Sequence, residues 1–173
     1  MRIVGGTLRG RQINAPRDET TRPTSDRARE AIFNMLFSLG MPEGCRVADL
    51  FSGSGALGVE ALSRGATDVI FVDNSSNACK TIKANLDSLD LHAEVIQGDA
   101  VKRLELVEVE LVLADPPYGF DDWQNLLEAA GNACVVVESD AKIGPFKGWK
   151  VTRSRNYGKA LITILRPENT NPP

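Results

Sequence analysis

This 173-residue chain has one histidine, three cysteines and an aromatic content of only 6%. With His92 alone, and no pair of cysteines at ligand spacing, it lacks the donor set of a zinc site, so no metal is expected. His92 reads as a surface loop residue. The cysteines (Cys45, Cys79 and Cys134) are odd in number, far apart and set in apolar surroundings. That excludes a disulfide framework and fits reduced thiols in a cytoplasmic protein. No apolar run reaches the roughly 18 residues that span a bilayer, and no signal-like apolar segment opens the chain. A membrane partner is therefore not expected. The length fits one domain with a sizeable core, and aliphatics outweigh aromatics, as in α/β proteins.

Charge is unevenly placed behind a net value of -3. Residues 1–30 hold seven arginines against four acids, and residues 142–166 hold seven Lys/Arg and no acid. The stretch between them, 31–141, has six basic and eighteen acidic residues. An acidic body with basic ends predicts that the two ends share a basic face.

The first thirteen residues carry glycine turns between short apolar pairs and predict two short strands. A polar stretch runs from Asn14 to Pro23. Thr24 is then placed to cap a helix whose buried stripe is Ala28, Ala31, Ile32, Met35, Leu36 and Leu39. Arg22, Arg27 and Arg29 fall at or near its start, off that stripe. From residue 46 the pattern alternates. Strands are predicted over 46–51, 69–73, 93–97, 110–114 and 133–138, with helices over 56–64, 75–89, 100–106 and 121–130. Two last strands, 149–153 and 160–165, flank Asn156-Tyr157-Gly158. The alternation predicts a doubly wound, mainly parallel sheet ending in an antiparallel edge hairpin. Residues 1–40 read as an N-terminal hairpin and helix, 41–166 as a Rossmann-like core, and 167–173 as a frayed tail. Trp123 and Trp149 read as packing residues.

Two motifs carry chemistry. Gly53-Ser54-Gly55-Ala56-Leu57-Gly58 fits G-x-G-x-x-G between a strand and a helix. Such turns let a ligand approach the backbone near free helix N–H groups, and NAD, FAD and S-adenosylmethionine all use them. Asp49 favours S-adenosylmethionine: a carboxylate four residues before the first glycine can meet the ammonium of a methionine moiety. A dinucleotide would leave that charge without work. Asp73 ends the next strand and can accept from ribose hydroxyls. Asp99 follows the third core strand and can accept from an adenine amine, or simply cap the helix behind it. Phe51, Ser52, Asn74 and Ala100 flank these positions and complete the candidate cofactor set.

The second motif is Asp115-Pro116-Pro117-Tyr118, directly after the apolar run 111–114. Two prolines stiffen the turn and remove two donors. The Asp115 carboxylate and the Pro116 carbonyl can then both accept from one NH₂ group, and Tyr118 can stack on the base that bears it. The candidate catalytic set is Asp115, Pro116, Pro117 and Tyr118.

The N-terminal Arg2-Ile3-Val4-Gly5-Gly6 and Arg9-Gly10-Arg11 precede a longer block, Thr21-Arg22-Pro23-Thr24-Ser25-Asp26-Arg27-Ala28-Arg29-Glu30-Ala31-Ile32-Phe33-Asn34. With the two motifs and the late Tyr157-Gly158, nearly the whole chain resembles the RsmD-type 16S ribosomal RNA guanine-N2 methyltransferases. The resemblance implies a class I (Rossmann-like) fold, S-adenosylmethionine as donor, and N2 of a guanine in 16S rRNA as acceptor. Apart from the resemblance, the acceptor is expected within a 30S subunit or an assembly intermediate, and a monomer is the default for the enzyme. Carried over by position, Asp49, Gly53, Gly55, Asp73 and Asp99 hold the cofactor and Asp115 through Tyr118 the target base. The N-terminal hairpin and helix would help bind RNA, with Arg22 and Arg27 near the mouth of the site. Arg9, Arg11, Arg29, Arg155 and Tyr157 are the further candidate RNA contacts. The stretch between Tyr118 and Val135 is short, so the helix after the turn should be curtailed. Asp73 stands where many members carry Glu.

Other readings stay open at this point. The same turn can hold an adenine N6 amine in DNA or RNA. A glutamine amide poses the same geometry, although that family prefers Asn where Asp115 stands. A nicotinamide oxidoreductase would use the glycine turn and leave residues 115–118 unexplained. A non-catalytic RNA-binding assembly factor would use the basic ends without turnover.

Overall fold

A computed structural model describes residues 1–16 and 25–168. Within them the order is α1 (Asp26–Phe37), β1 (Arg46–Leu50), α2 (Ala56–Ser63), β2 (Asp68–Asp73), α3 (Ser76–Leu89), β3 (Glu94–Gln97), α4 (Ala100–Leu104), β4 (Leu111–Ala114), α5 (Trp123–Ala130), β5 (Cys134–Ser139), β6 (Trp149–Tyr157) and β7 (Ala160–Pro167). The strands form one sheet in the order β3-β2-β1-β4-β5-β7-β6. The pairs among β1 to β5 are parallel, and β7 runs antiparallel to both β5 and β6. The order reverses between β1 and β4, which is where open α/β sheets leave a crevice for ligands.

Side chains alternate between two cores. Val47, Phe71, Leu113 and Val136 join Ile32, Phe33, Val59 and Ile82 on the face covered by α1, α2 and α3. Ala48, Val72, Val112 and Val137 join Leu104 and Leu126 on the face covered by α4 and α5. The two-residue period continues to the carboxyl ends of the strands. It therefore directs Asp49, Asp73 and Glu138 to the same side, that of α1 to α3, and Asp115 follows directly after the last residue of β4. Four acids thus stand along the rim where the crevice opens.

The first thirteen residues form a looser hairpin than two strands. An isolated bridge joins Arg2 to Gln12, and Ile3 N–H donates to Arg11 O at 2.9 Å. The hairpin is clamped to α2. Glu60, fully buried, accepts from Val4 N–H at 2.9 Å and from Arg64 Nε at 2.7 Å. Ser63 O accepts from Thr7 N–H at 2.7 Å, and a Cβ on Gly6 would lie 1.8 Å from that oxygen. The glycine is needed for this close approach.

Three expectations need correction. The cap of α1 is Ser25, whose Oγ accepts from Ala28 N–H at 3.1 Å. Arg29, placed among the RNA contacts, is buried at 1% exposure. Its Nη2 donates to Arg2 O and to Asp26 Oδ1, both at 2.7 Å. A guanidinium with carbonyl and carboxylate partners tolerates burial that a bare charge would not. Finally, β6 runs to Tyr157, so the hairpin turns at Gly158 and Lys159. All but its first residue are exposed or half-buried, because it is an edge strand, and no apolar alternation marks its extent.

Candidate active site

A cleft of about 1320 Å³ opens at the carboxyl ends of β1 to β5. Pockets for one small ligand measure roughly 300–1,000 Å³. This one has room for a cofactor and part of a second substrate.

Asp49 lies at the cleft floor, 1% exposed. Its Oδ2 accepts from Gly58 N–H at 2.8 Å. Burial raises its carboxyl well above the ordinary value; the Gly58 bond opposes this, and the charges of Asp115 and Asp73 add to it. A buried carboxyl held partly against its own charge is prepared to receive a cation.

The glycine turn builds this floor. Gly55 is the left-handed N-cap residue of α2 (φ 78°) and shapes the turn without lining the cleft. Gly58 serves close packing: an added Cβ would sit 2.3 Å from the Phe71 ring and 2.9 Å from Asp49 Oδ2. Ser52 is a wall residue with its polar groups already used, because its hydroxyl and N–H bond the backbone of β1 and β2. Phe51, next in line, adopts a left-handed backbone (φ 56°), rare for an aromatic residue and often found at functional sites.

Asp73 ties the glycine turn after β1 to the start of α3. Its Oδ2 accepts from Gly53 N–H and its Oδ1 from Ser75 N–H, both at 2.8 Å. Each oxygen retains a lone pair for a diol. Asn74 is exposed beside it. Asp99 caps α4 with one oxygen, accepting from Lys102 N–H at 3.0 Å, yet still lines the cleft with Ala100. The capping and ligand readings of Asp99 are therefore compatible.

On the other side, β4 ends at Ala114 and the turn 115–118 follows into the cleft. Asp115 is half-buried, whereas Tyr118 is 74% exposed at the mouth. Phe51 meets Phe120 edge-on, with centroids 5.3 Å apart, and Phe120 meets Trp123 at 4.8 Å. This chain of rings ties the β1 turn to the helix after β4. Trp123 is a packing residue, as expected, but it also lines the cleft. The α5 helix is short, eight residues.

Several cleft residues carry no motif in the sequence. Glu138, Lys142, Lys159 and Phe120 all line it. In the sequence Glu138 shares one feature with Asp49 and Asp73, its place near the carboxyl end of a core strand.

The basic ends meet in part. A groove beside α1 is lined by Arg27, Glu30, Asn34, Ser38, Arg153 and Tyr157 among others, so two arginines share it with one acid, and Arg153 Nη1 donates to Ser38 Oγ at 2.6 Å. Tyr157 lines both this groove and the cleft. Arg155 is exposed on the same strand. Arg9 and Arg11 lie elsewhere. Arg11 Nη2 bonds Ser88 O at 2.9 Å, near the far end of α3. At 1.5 Å per residue that is roughly 18 Å from the start of α3 at the cleft. Arg22 lies outside the described residues.

This strand order, with a carboxylate-lined cleft at its switch point, is that of the Rossmann-like, class I methyltransferases. A family model described as conserved hypothetical protein 95 matches residues 1–166. Ribosomal RNA small subunit methyltransferase D of Escherichia coli K12 is 35% identical, over 97% of this chain and 90% of its own. The candidate rRNA methyltransferase YlbH of Bacillus subtilis is 35% identical over 96% and 98%. A solved Escherichia coli structure, the candidate methyltransferase yhhF, superposes with a TM-score of 0.84 at 31% identity, covering 98% of this chain and 99% of the other. The chain belongs to this RsmD-type family.

Proposed function

We propose that this protein methylates the exocyclic N2 amine of a guanine in 16S rRNA, with S-adenosylmethionine as donor. The observation that carries the reading is the meeting of two strand ends in one cleft: Asp49 with its glycine turn, and Asp115-Pro116-Pro117-Tyr118. The relatives named for the small ribosomal subunit support rRNA as acceptor.

The donor set fits the cofactor at each part. Asp49 answers the ammonium, Asp73 the ribose diol, and Asp99 with Ala100 the adenine edge. S-adenosylmethionine supplies a methyl group already activated on sulfonium. What the chain must supply is position and charge. An exocyclic amine on a base is a poor nucleophile, since its lone pair is delocalised into the ring. The Asp115 carboxylate and Pro116 carbonyl accept its two N–H bonds, which orients the nitrogen and favours pyramidal geometry. The same carboxylate stabilises positive charge that develops on the nitrogen. Tyr118, exposed at the mouth, stacks on the base, worth about 1–3 kcal/mol. Holding both partners in line accounts for much of the acceleration such a reaction needs. The groove holding Arg27 and Arg153 leads away past Tyr157 and suits the phosphates next to the target base.

The test incubates the protein with radiolabelled S-adenosylmethionine and 30S particles from cells lacking their own enzyme, followed by digestion of the rRNA to nucleosides. Label in N2-methylguanosine is expected, and its loss in Asp115→Ala with S-adenosylhomocysteine binding kept. Label in N6-methyladenosine, or full activity of the variant, refutes the assignment.

A further inference from the structure

We infer that Glu138 reads the target as guanine, by accepting the ring N1–H beside the amine that Asp115 holds. This rests on the guanine-N2 reading and says how the same site chooses its base.

β4 and β5 are parallel neighbours, and Ala114 pairs with Val137. The next residues on the two strands are Asp115 and Glu138. Adjacent strands lie about 4.8 Å apart, so the two acids leave the sheet side by side. Alternation, carried one residue past the end of β4, sends both to the same face: Leu113 and Val136, two residues earlier, share one core, and the Asp115 charge acts on Asp49, which lies on that face. Both acids line the cleft, and both are half-buried.

A carboxylate only accepts hydrogen bonds. Two adjacent carboxylates therefore favour a ligand edge with two adjacent donor groups. Among the four RNA bases three carry an exocyclic amine. In adenine the ring nitrogen beside the amine is an acceptor, and in cytosine likewise. In guanine alone one of the two ring nitrogens beside the amine, N1, is an N–H, while the other, N3, is an acceptor. With Asp115 on the amine, Glu138 meets a donor in guanine and a lone pair in adenine or cytosine. The first forms a charge-assisted hydrogen bond. The second sets an acceptor against an acceptor in a partly desolvated site, which a buried polar group does not tolerate well. The turn at 115–118 by itself admits any of the three amines; Glu138 removes two of them.

The test uses 2-aminopurine, which keeps the 2-amine but has an unprotonated N1. The modified guanine is first mapped with the wild-type protein. Small-subunit particles are then reconstituted from ligated 16S rRNA with guanine or 2-aminopurine at that position. The wild-type protein is expected to prefer guanine by about tenfold or more in kcat/KM, the usual scale for one well-placed base contact. Part of that preference comes from the missing O6, so the decisive comparison is Glu138→Gln. Its amide can donate to the unprotonated N1, and the preference is expected to fall to about threefold or below, or to invert. If E138Q turns over neither particle, the same ratio is measured as affinity of the S-adenosylhomocysteine-loaded variant. An unchanged ratio in a variant that still binds S-adenosylhomocysteine overturns the role of Glu138 and leaves guanine-N2 methylation standing. Wild-type label in another nucleoside would instead remove the reading on which this inference rests.

Discussion

Replacing Asp49 by Asn isolates the one charge that separates a methionine-bearing cofactor from a dinucleotide. The side chain is 1% exposed, and its Oδ2 takes the Gly58 N–H at 2.8 Å. An Asn amide oxygen can keep that bond, so the turn should survive while the charge is lost. A hydrogen bond to a charged group contributes about 1.5–3 kcal/mol. Asp49→Asn should therefore weaken S-adenosylhomocysteine binding by roughly 10- to 150-fold. Isothermal titration measures this directly. 5′-Methylthioadenosine, which lacks the amino-acid tail, supplies the control, and its affinity should barely move.

The pH dependence follows from the same residue. Burial holds the Asp49 carboxyl well above 3.8, with Asp115 and Asp73 adding to the rise. A raised acid binds its proton more tightly folded than unfolded. Its contribution to stability is thus present at low pH and fades as pH climbs from 3.8 through the folded value. Ligand binding has the opposite sense if, as proposed, the ammonium meets this carboxylate. Affinity should fall about tenfold per unit below the folded pKa, with a proton released on binding. Titration in buffers of different ionisation heat would show that proton in the wild type and not in Asp49→Asn. Equal affinity and equal pH dependence in the two proteins would refute the placement of the ammonium at Asp49.

Gly58→Ala places a methyl group 2.3 Å from the Phe71 ring and 2.9 Å from Asp49 Oδ2. Overpacking of this kind costs about 1–3 kcal/mol, so thermal unfolding should show Tm lowered by several degrees, with weaker cofactor binding. Arg27→Ala should keep Tm but flatten the salt dependence of RNA affinity by roughly one phosphate's worth. Arg29→Met should do the reverse, lowering Tm and leaving the salt slope alone, because its guanidinium is spent on Arg2 and Asp26 inside the protein.

What could be read from the chain depended on where backbone geometry demands particular residues. The parallel core was legible because its strands are buried on both faces and appear as short apolar runs, as in residues 69–72 and 111–114. The turns proposed to hold the cofactor and the target base were legible because a left-handed N-cap favours glycine and a donor-free corner favours proline. Where no such demand exists, the signal vanished. The outer residues of β6 pair with β7 through backbone that any side chain permits. Arg29 stands beside the apolar stripe of α1, where an arginine reads as surface; only the fold brings Arg2 O to it. Arg9 and Arg11 read as a basic tip available to RNA, and only the clamp of the hairpin onto α2 and α3 shows that the tip lies far from the cleft. Glu138 is the sharpest case. Its strand leaves the sheet without a glycine or proline, so no turn chemistry marks it. Its neighbour in the site is 23 positions earlier in the chain, and the relation exists only because β5 lies next to β4. Turn residues announce a class of reaction from sequence, whereas the base reading proposed for Glu138 rests on a pairing between strands.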